Sequence, residues 1–222
     1  MFAKLPRWVE VGGFCLAAIA GSVNAIGLLG FKHQAVSHLT GTSTLLGLSL
    51  VNLDGSESLH LFLVLASFMF GAALSGVLIG QAVLRLGRSY SVALMLEAAL
   101  LLVAMLSLSR GSTYGHFLAS AACGLQNGMV STYSGATIRT THVSGLFTDL
   151  GTMLGARVRG HPLDTRKALL FSILILGFTL GGAIGAYGFQ HLQFTALMIP
   201  ASGAMALALS YWIYRHVSNA HG

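Results

Sequence analysis

Long apolar runs separated by short polar breaks dominate the chain. The first run covers residues 11–29 and is interrupted by Gly21, Ser22 and Asn24. A polar bend follows at 31–37, then a short segment of small residues at 38–52. That segment is shorter than the roughly 20 residues a helix needs to cross a bilayer. Asp54, Ser56 and Glu57 form a loop, and an apolar run at 59–84 contains Gly76-x-x-x-Gly80. Arg85, Gly87 and Arg88 make a tight connector before a third long run at 90–109, broken by Glu97. The plan then restarts: a run at 114–132, a bend at 134–141 and a short segment at 142–155. A basic loop follows, then runs at 169–189 and 194–214, the last carrying Pro200. The pattern predicts helices throughout.

The restart is a duplication. The stretch GSVNAIGLLGFKHQAVSHLTGTSTLLGLSL from Gly21 returns from Gly124 as GLQNGMVSTYSGATIRTTHVSGLFTDLGTML. Gly21 and Asn24 correspond to Gly124 and Asn127; with one inserted residue, His38 and Gly41 correspond to His142 and Gly145. Thr40 matches Ser144, and Gly47 matches Gly151. Each copy is a Gly-Asn helix end, a polar bend, a histidine and a new helix start. Two halves follow, residues 1–110 and 111–222, each a helix, a short half-helix and two more helices. The two copies are expected to face each other.

Composition turns this pattern into a membrane protein. Of 222 residues, 55% are hydrophobic and 8% charged, with a mean hydropathy of +0.77. Soluble domains carry about 25% charged residues, so the solvent here is lipid. The net charge of +6 sits at segment ends and does not call for nucleic acid. The first 25 residues have signal-peptide features. Glu10 interrupts the run, however, and Asn24 belongs to the repeated motif, so they are expected to remain as the first helix. Cys15 and Cys123 fall in apolar runs and are expected to be free thiols.

Charge also discriminates between two topologies. If the short segments re-enter, each half crosses three times and the halves are inverted. With a cytoplasmic N-terminus, Lys4, Arg7, Arg85, Arg88, Arg157, Arg159, Arg166, Lys167 and Arg215 then lie inside. Lys32 and Arg110 lie outside, and Arg139 sits in the second bend. If the short segments span fully, Arg85 and Arg88 move outside and the bias weakens. The expected fold is an all-α polytopic membrane protein, a 3+3 inverted repeat of about six transmembrane helices plus two half-helices. Both termini are cytoplasmic. Gly76-x-x-x-Gly80 and the Gly177, Gly181, Gly185 series are expected to be close-packing faces, within one chain or in a homodimer.

Irregular backbone at bilayer depth is tolerated only inside protein or beside a wet cavity. The two bends therefore point to a site between the halves, near the bilayer midplane. Ser37, Thr40, Thr141 and Ser144 are residue types that cap helix starts. The positive end of each half-helix would attract an anion or a carbonyl. The expected solute-binding set is Asn24, His38, Thr40, Thr42, Gln126, Asn127, Thr141, His142 and Ser144. The competing reading has Asn24 and Asn127 merely satisfying loose backbone, and His38 and His142 as interfacial or capping histidines. Glu97 and Asp149 are acids without a duplicate, which suggests directional proton coupling; the alternative is an ion pair with Arg139.

No Walker loop, His-Glu-x-x-His, Gly-x-Ser-x-Gly or dinucleotide fingerprint is present, so no enzyme, cofactor or metal site is expected. The segments AGSVNAIGLLGFKHQAVSHLTGTST and CGLQNGMVSTYSGATIRTTHVSGLFTDLG resemble the YoaK family of bacterial inner-membrane proteins. Gln126, Asn127, Thr140, Thr141, His142, Gly145 and Asp149 carry the most specific part. The resemblance implies a bacterial inner membrane and about six helices; it implies no substrate and assigns no site residue. The expected function is a secondary transporter or uniporter for a small polar or anionic solute, proton-linked, with the lipid bilayer as its other partner. The alternatives are an uncoupled pore, or a sensor or assembly partner that transports nothing.

Overall fold

The computed structural model describes residues 7–30, 36–80, 88–133 and 139–220. The bends at 31–35 and 134–138, with Lys4, Lys32 and Arg85, lie outside the described residues. The elements are α1 (Arg7–Gly30), α2 (Leu39–Val51), α3 (Gly55–Ile79), α4 (Arg88–Ser109), α5 (Tyr114–Tyr133), α6 (Val143–Val158) and α7 (Thr165–Leu192). A 3-10 turn (Gln193–Leu197) then leads into α8 (Met198–Ala220). No strand occurs among the described residues.

Two helices begin a turn earlier than their apolar runs, and the reason is capping. Asp54 accepts a hydrogen bond from Glu57 N at 3.0 Å at the start of α3. Asp164 does the same with Lys167 N at 3.0 Å at the start of α7. A polar first turn is invisible to hydropathy, but an aspartate oxygen satisfies a backbone donor the helix leaves over. The two caps occupy matching places in the two halves. Gly80, at φ 63°, ends α3 by returning its N–H to the Gly76 carbonyl. Pro200 lies in the first turn of α8, where a missing N–H costs nothing.

Four stretches are long and apolar enough to cross a membrane: 10–30, 55–79, 88–109, and 165–213, which runs through α7 and α8. α5 is not among them, because it is interior. Every residue from Ala119 to Gln126 is buried by protein, so α5 can carry Ser120, Gln126 and Asn127. The outer faces of α3 and α7 instead present Met69, Phe70, Val77, Leu176, Leu180 and Ile184, as contact with lipid tails demands.

The long helices pair across the halves. α1 lies against α7, and α5 against α3. A Cβ on Gly21 would overlap the Phe178 carbonyl, and one on Gly181 the Ala18 carbonyl. The second pair repeats this: Gly124 against Phe68, Gly71 against Ala121. Such approach is what small residues supply in lipid, where packing drives association. Gly177 and Gly185 also press on α1, at Phe14 and Ser22, as their spacing suggested. Gly76-x-x-x-Gly80 is different: among the described residues nothing approaches either glycine, and Gly80 is a helix stop. The close-packing residues of α3 are Gly71 and Ser75, the latter against Gly128.

The core has two main clusters, one at each end of the bundle. One gathers Ala17 of α1, Tyr90 of α4 and Phe171 of α7 with Ile79 of α3, Val130 of α5 and Ala208 of α8. The other gathers Ile26 of α1 and Leu108 of α4 with Ala119 of α5 and Ala201 of α8. Thus α1, α4 and α7 run one way along the bundle, and α3, α5 and α8 the other. α1 and α3 are opposed although α2 lies between them; the same holds for α5 and α7 across α6. α2 packs on α3 and α6 on α7, and α2 and α6 do not touch each other.

Candidate functional site

The first short helix starts beside the last third of α1. Asn24 Oδ1 accepts from Ser37 Oγ at 2.9 Å and from Ser37 N at 3.3 Å. One residue earlier on each side, Val23 and Val36 are buried in the same apolar cluster. From α5, the Ser120 hydroxyl approaches the Val64 carbonyl at 2.9 Å and the Val36 carbonyl at 3.3 Å. The backbone entering α2 is therefore tied to α1, α5 and the core.

His38 is the residue before the first turn of α2, and its side chain makes no capping bond. Ser37 and Thr40, the expected caps, flank it instead. The imidazole folds back over the helix, where a Cβ on Gly41 would come 3.1 Å from the ring. The His-x-x-Gly spacing thus serves a ring lying on a bare backbone. The His38 carbonyl accepts from Thr42 N at 3.0 Å and Thr42 Oγ1 at 3.2 Å. Thr44 bonds the Thr40 carbonyl at 3.0 Å. Thr42 is buried with its hydroxyl on its own helix, whereas Thr40 and His38 are exposed.

The second start has the same frame with different side chains. His142 precedes α6, again without a side-chain cap, and its ring lies 2.9 Å from where a Gly145 Cβ would be. Thr148 Oγ1 bonds the Ser144 carbonyl at 3.0 Å, the counterpart of Thr44 and Thr40. The Val23–Val36 positions are now Gln126 and Thr140, both buried. Gln126 Nε2 donates to the Leu16 carbonyl of α1 at 2.6 Å and approaches Thr140 Oγ1 at 3.4 Å. The Asn24–Ser37 positions are Asn127 and Thr141. Here Asn127 Oδ1 is buried with no hydrogen-bond partner among the described residues. Leaving such an oxygen dry costs about 1–3 kcal/mol.

A cleft of about 520 Å³ opens at this second start. Arg139, His142, Ser144, Gly145, Leu146, Thr148 and Asp149 line it. Arg139 and Asp149 share it without forming an ion pair; among the described residues the ion pair is Glu10 with Arg166, at 3.6 Å, joining the starts of α1 and α7. The wall therefore offers a guanidinium, an imidazole, two hydroxyls and an uncapped helix start, with a carboxylate further along α6.

Glu97 lies elsewhere. It is 1% exposed on α4, Oε2 has no partner among the described residues, and it is within electrostatic reach of Cys123 on α5. Glu97 is buried inside the bundle, whereas Asp149 is exposed at the cleft on α6, so the two acids belong to separate places. The structure thus groups the expected residues in two. Asn24, His38, Thr40 and Thr42 surround the first start. Gln126, Asn127, Thr141, His142, Ser144 and Asp149 surround the second. The matching caps Asp54 and Asp164 escaped the sequence reading, although at Asp54 the Asp-x-x-Glu57 spacing before an apolar run signals a helix start. Among the described residues no group of three His, Cys, Asp or Glu side chains could hold a metal ion.

A bundle of apolar helices with buried polar positions on its central helix is the build of a helical membrane protein. The chain belongs to the family described as "Protein of unknown function (DUF1275)", which matches residues 12–210. It matches no curated protein and no solved structure.

Proposed function

We propose that the chain is a secondary transporter or uniporter for a small polar or anionic solute, linked to protons, in the bacterial inner membrane. In this reading the halves 1–110 and 111–222 form an inverted repeat with six membrane crossings, and α2 and α6 re-enter. The opposed directions of α1 and α3, and of α5 and α7, support it, because a short helix that crossed fully would make each pair parallel. The matched contacts of Gly21 and Gly124 support the repeat. The family match is consistent with the YoaK-like resemblance. The Lys and Arg distribution supports cytoplasmic termini.

The observation that carries the proposal is the inequality of the two helix starts. They share a frame, yet Asn24 and Ser37 tie down the first while the second opens onto the cleft of about 520 Å³. Inverted repeats that bind solute at broken helices alternate access by moving one part against the other. Arg139, His142 and the α6 N-terminus favour an anionic group on the solute. In this scheme the buried Asn127 Oδ1, which does not line the cleft, accepts from the solute only in an open form. Glu97 and Asp149 are the proton carriers of this scheme. In proteoliposomes, Asn127→Ala and His142→Ala should each abolish uptake while the protein still runs as a folded species. Normal uptake by both variants would put the site elsewhere.

The separation of Glu97 from Asp149 favours a second reading, an uncoupled pore. A pore conducts without concentrating solute, and its flux ignores Glu97→Gln.

A further inference from the structure

The two helix starts differ in one hydrogen-bonding position, and the difference defines a second state. In the first copy, Ser37 presents both its N–H and its hydroxyl to Asn24 Oδ1, at 3.3 and 2.9 Å. In the second copy Thr141, which carries the same two donors, stands where Ser37 stands. Asn127 stands where Asn24 stands, with a buried Oδ1 that nothing among the described residues satisfies. Donors and acceptor are matched in kind and in register, but the bond is unmade. The neighbouring pair differs too: buried Val23 and Val36 share a dry cluster, whereas Gln126 and Thr140 make a polar contact at 3.4 Å. An apolar pair holds the first start shut. A polar pair can instead take up water.

We infer that the second helix start has a latched form in which Thr141 N–H and Oγ–H donate to Asn127 Oδ1, and that formation of this latch closes the cleft along α6. Latching draws residues 139–142 and the first turn of α6 toward α5, as Ser37, just before α2, is already tied to Asn24 of α1. It satisfies the Asn127 oxygen. It also carries His142 and Ser144, which line the cleft, inward. The Asn24–Ser37 tie is the fixed member and the Asn127–Thr141 latch the moving one. This deepens the carrier reading by naming the contact that occludes its site.

Thiol crosslinking in membranes tests the latch. On a C15A/C123A background, the pairs Asn24→Cys with Ser37→Cys and Asn127→Cys with Thr141→Cys are treated with a short bifunctional thiol reagent. The first pair should crosslink at once, which also reports an intact fold. The second should crosslink to completion but slower by roughly tenfold to a thousandfold, as for a minor state populated at about 0.1–10%. Adding Gln126→Val and Thr140→Val, which reproduces the Val23–Val36 pair, should speed it. A second pair that stays uncrosslinked while the first closes overturns the inference, as does no acceleration by the valine pair. The assay needs no solute, so a protein that transports nothing can still reveal the latch. A carrier that lacks the latch would transport while the second pair stays uncrosslinked.

Discussion

Gly21 of α1 and Phe178 of α7 meet backbone to backbone, with no room for a Cβ against the phenylalanine carbonyl. Gly124 of α5 stands in the same relation to Phe68 of α3. The first helix of each half therefore packs on the third helix of the other half. The two halves are interlocked rather than laid side by side, and α4 completes the interior between α5 and α8.

Substitution at those glycines should be costly, since the opposing atom is main chain and cannot rotate away. Gly21→Ala and Gly124→Ala should each lose about 3 kcal/mol, the upper part of the range for overpacking. Gly76→Ala should be neutral or slightly stabilising, because nothing among the described residues approaches Gly76 and alanine favours helix by about 1 kcal/mol. Thermal unfolding in detergent separates the outcomes; equal losses at all three positions would refute the backbone contact.

The two asparagines should respond differently despite matching places in the sequence. Asn24→Ala removes the acceptor of both Ser37 bonds and should destabilise by about 1–3 kcal/mol. Asn127→Ala removes an oxygen without a hydrogen-bond partner among the described residues and should leave stability nearly unchanged while uptake fails. A double-mutant cycle of Asn24 with Ser37 should give a coupling energy of roughly 0.5–3 kcal/mol. Additive losses would refute the tie.

At the second helix start, ring position depends on a bare glycine. A methyl group at Gly145 would press on the His142 ring at 2.9 Å and tilt it from the helix. Gly145→Ala should therefore lower apparent solute affinity with little change in melting temperature. Unchanged uptake kinetics would show that the orientation of His142 does not matter to the site.

Glu97 is a buried carboxyl group with one oxygen unpartnered among the described residues, a costly arrangement unless function keeps it. Glu97→Gln should fold at least as well as the parent protein. Its flux in proteoliposomes should no longer respond to an imposed pH gradient. A gradient response that survives the substitution would remove Glu97 from the coupling.

Single cysteines report the topology. Asp54→Cys and Arg110→Cys should react with an impermeant maleimide from outside intact cells, and Asp164→Cys only after the cells are opened. All three side chains are exposed, so a silent position means the opposite side. Asp54 and Asp164 labelling from the same side would refute the inverted arrangement.

Much of the chain was legible before any coordinates. The long helices fall close to where the apolar runs put them, because lipid-exposed helices must be apolar over their whole length. The short helices begin one residue after His38 and His142, because Gly-Asn, a polar bend and His-x-x-Gly mark a break in any helix. The sequence also pointed to a duplication, through the Gly, Asn and His positions that recur in both stretches.

Other features needed the tertiary structure. Gly76 and Gly71 look alike in the sequence, but only Gly71 meets a neighbour, because register is set by which helix packs opposite. α5 is less apolar than the long outer helices, yet it is an interior helix, because protein and not lipid surrounds its polar residues. The tie at Asn24 and the open oxygen at Asn127 come from matching positions. Hydrogen bonding depends on where separate pieces of chain meet in space, and the one-dimensional repeat carries no record of that.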